Sequence, residues 1–261
     1  MQLDISSHAH LRYAWLVTAS FLAGAMNAMA GGGSFLSFPA MLAMGVPPVE
    51  ANATNTVALW PGQATSIFAL RGDLRRDLLP VVLAASVIGG VSGGVVLLKT
   101  KQTTFLHLVP WLLLIASLLF GISGPVSRWL RKRSSEPHAE RKVHMPVLFL
   151  MLLPVCFYIG YFGAGAGFLV MTALALMGLE KIHELNSLKV VAAGVSNLSA
   201  VITFIFRGAI LWHYCLISMV FAAVGGYIGA HYARKMNAES LRAVVVVTGL
   251  VVAGYFFWKL R

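Results

Sequence analysis

The chain has 261 residues, of which 58% are hydrophobic and only 11% are charged, and its formal net charge is +11. A composition this apolar excludes an ordinary soluble domain and is typical of a protein that crosses a membrane several times. The positive charge indicates topology rather than a nucleic-acid partner, because lysine and arginine concentrate in cytoplasmic loops. We therefore expect a multi-pass protein of the cell (inner) membrane, in contact with the lipid bilayer.

Eight apolar runs approach or exceed the length of about 20 helical residues that crosses the hydrocarbon core. They cover residues 13–30, 51–70, 78–98, 105–124, 145–162, 185–206, 214–232 and 243–258. A shorter apolar segment, residues 34–44, follows the first run and is too short to cross alone as a helix. The sequence therefore predicts an all-α polytopic membrane protein.

The second half of the chain repeats the first. Arg71-Gly72 recurs at 207–208, and the glycines at 89, 90 and 93 recur with the same spacing at 225, 226 and 229. We predict two homologous membrane repeats, residues 1–124 and 145–261, joined by a basic cytoplasmic linker at 125–144. Each repeat would supply four long helices and one short helix introduced by glycine, which gives eight to ten crossings. Parallel and inverted repeats both fit, because the lysine and arginine count is the same for the two arrangements.

Two glycine-rich breaks interrupt the apolar sequence, at residues 30–35 and 163–168. Glycine lowers helix stability by about 1 kcal/mol relative to alanine, and a break within lipid leaves amides without water. Such a break is tolerated where it lines a cavity, and the N–H groups that start the next helix can bind an anion there. The alternative is that the glycines serve only close helix packing or a kink. The predicted ligands are Gly31, Gly32, Gly33 and Ser34 at the first break, Gly165 and Gly167 at the second, and Asn27 one turn before the first.

The helix after each short segment carries a polar stripe on one face. The stripe residues proposed to bind substrate are Asn52 and Asn55 in the first copy and Asn186, Lys189 and Asn197 in the second. Lys189 is about five residues inside its span, where a charge costs a few kcal/mol and is usually paired or functional. We interpret it as an anion ligand. The alternatives are snorkelling, pairing with Glu184 or Glu180, and, for the stripes, hydrogen bonds that only pack helices.

Other kinds of chemistry find no support in the sequence. All nine aspartates and glutamates lie in loops or at the ends of spans, so a proton or sodium site built on a carboxylate is not expected. The eight histidines and two cysteines show no metal-ligand spacing, and no nucleophile and base are paired. We expect no catalytic residue, no metal, no cofactor and no enzyme activity.

The order of glycine breaks, short helices and polar helices resembles the TauE/SafE sulfite exporter family of membrane permeases. The resemblance rests on a glycine break followed by a short helix that ends in Gly45-Val46-Pro47-Pro48, and on an Asn- and Thr-bearing helix that ends in Arg71-Gly72. Both features recur within residues 163–208, and the resemblance covers nearly all of residues 13–258. It implies export, or in some members import, of sulfur-containing oxyanions and organosulfonates.

We therefore expect a transporter that exports a small sulfur-containing anion, sulfite or an organosulfonate, through a central site between the two repeats. Because the cytoplasm is negative, each charge that leaves as an anion gains about 2.3 kcal/mol per 100 mV, so a coupling ion is not required. The alternatives are an anion channel, an importer of sulfonates or other small organic anions, and a non-transporting assembly factor. No oligomeric state is predicted.

Overall fold

A computed structural model describes residues 3–29, 32–69, 74–134, 143–179, 181–233 and 238–260. Over these residues the chain forms ten α-helices and no strand, which confirms the prediction of an all-α fold. The helices are α1 (Leu3–Met29), α2 (Ser34–Ala43), α3 (Pro48–Ala69), α4 (Leu79–Lys99), α5 (Gln102–Ser134), α6 (Met145–Tyr161), α7 (Ala166–Leu176), α8 (Ile182–Phe206), α9 (Trp212–Ala233) and α10 (Ala238–Lys259).

Within the described residues, four stretches are long and apolar enough to cross a membrane. They are Leu79–Lys99, Gln102–Pro125, His183–Phe206 and Trp212–Gly229. Further apolar helices are shorter, between 10 and 17 residues, and include α2, α6 and α7. The multi-pass membrane class follows from these lengths and compositions, whereas the total of eight to ten crossings stays a prediction.

The two short helices α2 and α7 end in the same way. Gly45 follows α2 with φ of 82°, and Gly178 follows α7 with φ of 87°. This left-handed conformation ends helices and is accessible to glycine without steric penalty. The short helices therefore stop where the sequence places a glycine, and α3 and α8 begin a few residues later.

The helices pack into two compact units, and each unit takes segments from both halves of the sequence. Unit 1 comprises Met1–Gly62, Thr100–Leu114 and Gly208–Arg261, and unit 2 comprises Gln63–Lys99 and Ile115–Arg207. The chain passes from one unit to the other inside α3 and inside α5. The two predicted domains, residues 1–124 and 145–261, are defined by the similarity of the two halves of the sequence and not by packing. They stay a prediction.

In unit 1, α1 and α9 approach each other at glycines. A Cβ atom added to Gly225 would lie 2.7 Å from the carbonyl carbon of Phe21, and one on Gly229 would lie 2.6 Å from the Cα of Ala25. No side chain fits at such distances, so the two backbones touch directly. Small residues allow this approach, which supplies the van der Waals contact that holds helices together in lipid.

In unit 2, α4 and α6 approach each other in the same manner. A Cβ atom on Gly89 would lie 2.7 Å from the backbone nitrogen of Phe157, and one on Gly93 would lie 2.8 Å from that of Tyr161. A buried apolar core surrounds these contacts and includes Leu148, Leu152, Val170, Leu185 and Leu188. This core fixes α7 and α8 beside the end of α6, where the second glycine break lies.

Candidate functional site

The second glycine break is the turn that joins α6 to α7 in unit 2. The amides of Phe162 and Gly163 both donate to the carbonyl oxygen of Tyr158, at 2.9 and 3.0 Å, which ends α6. Gly163 and Gly165 have φ of 77° and 71°, a left-handed conformation that residues with a side chain rarely adopt. The chain can therefore restart as α7 at Ala166 only because glycine stands at these positions.

The first turn of α7 presents backbone N–H groups. The amides of Ala166 and Phe168 donate to Gly163 and Gly165 carbonyls at 3.4 and 3.3 Å. The amide of Gly167 donates to no backbone carbonyl within the described part of the chain. An uncommitted amide at a helix start, with the positive end of the helix dipole, favours a negative ligand.

Lys189 on α8 lies against this helix start. A Cβ atom on Gly167 would be 3.6 Å from Lys189 Cδ and 3.9 Å from Cγ, so the lysine stem runs along the face of Gly167 that has no side chain. Lys189 Nζ donates to Asn186 Oδ1 at 3.1 Å, one turn earlier on α8. The structure thus brings together three residues that the sequence predicted as ligands: Gly167, Asn186 and Lys189.

The described residues offer Lys189 no carboxylate partner. Glu184 instead forms ion pairs with Arg75 Nη1, at 3.5 Å, and with Lys181 Nζ, at 3.3 Å. Glu180, the other partner considered from the sequence, lies outside the described residues. The ammonium group of Lys189 has three N–H donors, of which Asn186 accepts one, so it retains donors for a ligand.

Asn197 contacts the other side of the same break. Its Nδ2 donates to Gln63 Oε1 at 2.8 Å. Its Oδ1 lies toward Gly163, 3.5 Å from the position that a Cβ atom on Gly163 would occupy. Gly165 packs on α5, with the carbonyl oxygen of Ala116 3.0 Å from the position of a Cβ atom. All five predicted ligands of the second copy therefore lie in unit 2, where two belong to the break and the other three contact it or contact Lys189.

The first glycine break lies in unit 1 and joins α1 to α2. Gly31 lies outside the described residues. Gly32 has φ of 120°, and a Cβ atom on Gly33 would be 3.2 Å from the Cβ of Asn27. The amides of Phe35 and Leu36 donate to the carbonyls of Gly32 and Gly33 at 3.1 and 3.0 Å, which starts α2 with Ser34 as its first residue. Asn27 thus lies beside Gly33, and its role as a ligand stays a prediction.

Ser37 connects the first break to the polar stripe of α3, and the sequence analysis missed it. Its hydroxyl contacts the carbonyl oxygen of Gly33 at 3.1 Å and Asn55 Oδ1 at 2.5 Å. Ser37 and Asn55 are both buried, each with 1% of its surface exposed. Asn52, one turn earlier on α3, is also buried. The signal that was available is the spacing of Ser37, four residues after Gly33, at which a serine hydroxyl reaches the carbonyl of the preceding turn.

Tyr158 also belongs to the second break. Its hydroxyl donates to the carbonyl oxygen of Ala164 at 2.8 Å, across the turn. Its position about one turn before the break predicts that Tyr158 reaches the same cavity as the proposed ligands, and the bond gives it a structural role because it ties the turn to α6. Tyr158 therefore holds the geometry in which Gly163 and Gly165 adopt positive φ angles.

The loop before α4 carries a charged cluster outside the spans. Arg75 donates to both carboxylate oxygens of Asp77, at 2.9 and 2.6 Å, and also contacts Glu184 in the first turn of α8. The hydrogen bond from Arg75 holds the pKa of Asp77 below its ordinary value, and the same bond raises the pKa of Arg75. The cluster ties the 74–78 loop to α8 at the end of unit 2.

Comparisons with known proteins identify the family to which the chain is similar. The model of the sulfite exporter TauE/SafE family matches residues 16–256. The chain is 30% identical over 245 residues to the probable membrane transporter protein ORF9 of Sinorhizobium sp, which covers 92% of this chain and 90% of that protein. It is 25% identical over 241 residues to the probable membrane transporter protein YfcA of Escherichia coli strain K12, which covers 91% and 87%.

A probable membrane transporter protein of Haemophilus influenzae is 26% identical over 241 residues, covering 91% of each chain. No solved structure is significantly similar to the chain. Because the family model spans almost the whole sequence and these relatives match over nearly their full lengths, the chain belongs to the TauE/SafE sulfite exporter family and is a multi-pass membrane transporter.

Proposed function

We propose that this transporter exports a small sulfur-containing anion, sulfite or an organosulfonate, and that Lys189 and the start of α7 hold it. The observation that carries the proposal is the position of Lys189. Its stem lies along Gly167 at a helix start, and no described carboxylate neutralises it. A lysine inside a span is expensive unless something compensates its charge, and an anionic substrate would do so.

The chemistry of the second break suits an oxyanion. A sulfite or sulfonate group presents several acceptor oxygens, and the break offers the Gly167 amide and the two remaining donors of Lys189 Nζ. Hydrogen bonds between ionised partners are about twice as strong as neutral ones, and the low dielectric of a membrane protein interior strengthens them further. Asn186 keeps the ammonium group in place beside the helix start.

The first break would contribute neutral groups. We propose the backbone of Gly31, Gly32 and Gly33 with Ser34 as donors, and Asn27, Asn52 and Asn55 as polar lining. None of these residues carries a charge, so their contribution would be to orient the substrate and to replace its hydration. The second break would supply the attraction.

We also propose that the two halves are homologous repeats. Helix lengths support this, because a short helix stands second in each half, α2 with 10 residues and α7 with 11. The glycine contacts support it too. Gly225 and Gly229 meet Phe21 and Ala25, and their counterparts Gly89 and Gly93 meet Phe157 and Tyr161 at the same sequence spacing.

The membrane potential would drive export. An anion that leaves a negative cytoplasm gains about 2.3 kcal/mol per charge per 100 mV, and a dianion gains twice as much. Rocking of one repeat against the other would alternate access, as in other transporters built from repeats.

The test is substrate flux in proteoliposomes that contain the purified protein, with radiolabelled sulfite or a simple alkanesulfonate and an imposed potassium diffusion potential. We expect saturable flux that follows the potential. Lys189→Met should abolish it, Lys189→Arg should retain part of it, and Lys99→Met, at the end of α4, should leave it unchanged. Flux that ignores the potential would contradict uncoupled export, flux that does not saturate would favour a channel, and normal flux in Lys189→Met would remove the anion-binding role of that residue.

A further inference from the structure

The contact between α1 and α9 in unit 1 holds two serine hydroxyls that have no hydrogen-bond partner among the described residues. They belong to Ser20 on α1, with 0% of its surface exposed, and to Ser218 on α9, with 1% exposed. A buried serine in a helix commonly donates to the carbonyl of the preceding turn, as Ser196 does to Ala192 at 2.7 Å. A buried hydroxyl without a partner is unfavourable, so these two side chains require a physical explanation.

Two contacts show that α1 and α9 run in the same direction. The rings of Tyr13 and Tyr214 stack with their centroids 6.3 Å apart. Farther along both helices, a Cβ atom added to Gly24 would overlap the carbonyl oxygen of Ala222. Because the two contacts follow in the same order on each helix, equal distances from one of them correspond to the same level of the helix pair.

Ser20 and Ser218 lie at one level, on the faces of the two helices that meet. Ser20 precedes Gly24 by four residues, and Ser218 precedes Ala222 by four. Four residues cover about 6 Å along a helix axis, and residues four apart share a helix face. The two hydroxyl groups are therefore at the same height in the contact, yet neither binds the other.

The contact between α1 and α9 is of a kind that permits a small shift. Gly225 and Gly229 meet the backbone of α1 at Phe21 and Ala25, so no large side chains interlock there. Packed helices shift past each other by about 1–2 Å in conformational changes of proteins. A shift of this kind would let two hydroxyls at one level satisfy each other.

Movement of α1 would reach the first glycine break. Helix α1 ends at Met29, and the break folds back onto it. A Cβ atom on Gly33 would overlap the carbonyl oxygen of Ala23 and would lie 3.2 Å from the Cβ of Asn27. The start of α2 thus packs on the last turns of α1, so a shift of α1 displaces the residues proposed to line the path of the anion.

We propose that α1 and α9 have a second arrangement, in which the hydroxyls of Ser20 and Ser218 hydrogen-bond to each other, and that each transport cycle passes through it. The inference rests on the proposed transport of an anion past the first break, and it adds the movement that alters this break. Hydrogen bonds between side chains of membrane helices are modest in energy, so this bond can form and break in every cycle.

The first experiment is disulfide cross-linking of Ser20→Cys with Ser218→Cys in the full-length protein in proteoliposomes, in a background that carries Cys156→Ala and Cys215→Ala. We expect the oxidant copper phenanthroline to join the two cysteines, because the second arrangement brings their Cβ atoms to the separation of about 3.5–4.5 Å that a disulfide requires. An alkanesulfonate should change the rate of cross-linking, and the disulfide should stop its flux until it is reduced. Sulfite is avoided because it cleaves disulfides.

The matched control is Ser20→Cys with Val220→Cys. Val220 follows Ser218 by two residues on α9 and is 58% exposed, so it faces away from α1 and this pair should not cross-link. Failure of the Ser20 and Ser218 pair to cross-link would overturn the second arrangement, and a complete disulfide that leaves flux unchanged would overturn its place in the transport cycle. Cross-linking requires no transport, so it tests the two arrangements even if the protein moves no sulfonate.

A second measurement uses Ser20→Ala, Ser218→Ala and the double variant. Each single change should lower the saturated flux by about three- to tenfold, and the double variant should lose no more, because the same bond is missing in all three. Their thermal unfolding midpoints should not fall, since neither hydroxyl is bonded in the described arrangement. Lower midpoints in both single variants without a further loss in the double would mean that the bond already exists in the resting protein, and that result would overturn the proposal, as would unchanged flux.

Discussion

The two glycine breaks each join a long helix to a short one, and they differ in the side chain that the following long helix brings to them. At the first break, α3 supplies Asn55, whose carbonyl oxygen is held by the hydroxyl of Ser37. At the second, α8 supplies Lys189, whose ammonium group donates one hydrogen bond to Asn186 and retains N–H donors for a ligand. The glycine contacts between α1 and α9 and between α4 and α6 are closely similar. The scaffold is therefore alike in the two units, and the charge beside the break distinguishes them.

The largest expected effect concerns the glycine contacts between helices, which are similar in the two units. Gly89→Ala and Gly225→Ala each place a Cβ atom 2.7 Å from a backbone atom of the facing helix, so both should lower the free energy of unfolding by about 3 kcal/mol, the upper end for overpacking. Thermal unfolding of the detergent-solubilised protein checks this. Gly254→Ala is the matched control, because a Cβ atom there meets nothing within 4 Å. A large loss in only one of the two variants would show that the units do not depend equally on their glycines.

The difference in charge should appear in anion affinity. Lys189→Met removes a charged hydrogen-bond donor and should weaken sulfite binding by roughly 10- to 100-fold, whereas Asn55→Leu removes a neutral group and should weaken it by less than about tenfold. Ligand-dependent thermal shifts of the two purified variants give both affinities. Equal losses would mean that the charge beside the second break is not what attracts the anion.

Removing the Ser37 hydroxyl at the first break should have a smaller effect on stability than the glycine substitutions. Ser37→Ala removes the contact with Asn55 and should lower the free energy of unfolding by about 1 kcal/mol. The control is Thr172→Ala on α7, whose hydroxyl contacts the carbonyl of Phe168, four residues earlier, at 3.0 Å and no other group among the described residues. The Thr172→Ala variant should be close to neutral in the same unfolding measurement, and an equal loss in both would remove the special role of Ser37.

The smallest effect concerns the charged loop of unit 2. Because Arg75 lowers the pKa of Asp77, the folded protein binds the Asp77 proton less readily than the unfolded chain, so the ion pair stabilises the fold above the ordinary carboxyl pKa. That stabilisation is lost as the pH falls through the lowered pKa. Half of the Asp77 side chain is exposed, so the contribution should stay within a few tenths of a kcal/mol. Unfolding curves of the wild type and Asp77→Asn should converge at acidic pH, and a difference that persists there would contradict the ion-pair account.

Patterns along the sequence predicted the parts of this fold that depend on local chemistry. The all-helical architecture and the end of α2 at Gly45 follow from composition and helical spacing. The helix partners did not follow, because periodicity identifies a buried face but not what covers it. Each packing unit draws helices from both halves of the sequence.

The candidate site, like the fold, could be predicted where it depends on local motifs and could not where it depends on residues far apart in the sequence. The contact between Gly167 and Lys189 could be anticipated from two motifs, whereas the orientation of Asn197 depends on Gln63, which is 134 residues earlier. Ser37 was missed because a buried serine in an apolar helix resembles any other small residue until its partner on α3 is known. Hydrogen bonds over such separations require the tertiary structure.

The mixing of segments within each unit also sets an order of assembly during synthesis. Unit 2 ends at Arg207, so all of its residues have been translated before α9 is made. Helix α1 is synthesised first, yet its glycine face meets α9, and Tyr13 binds His213, a residue 200 positions later. Because chains emerge at about 5–20 residues per second, α1 must wait in the translocon or the lipid for a partner that is translated much later, and unit 2 is the first that can close.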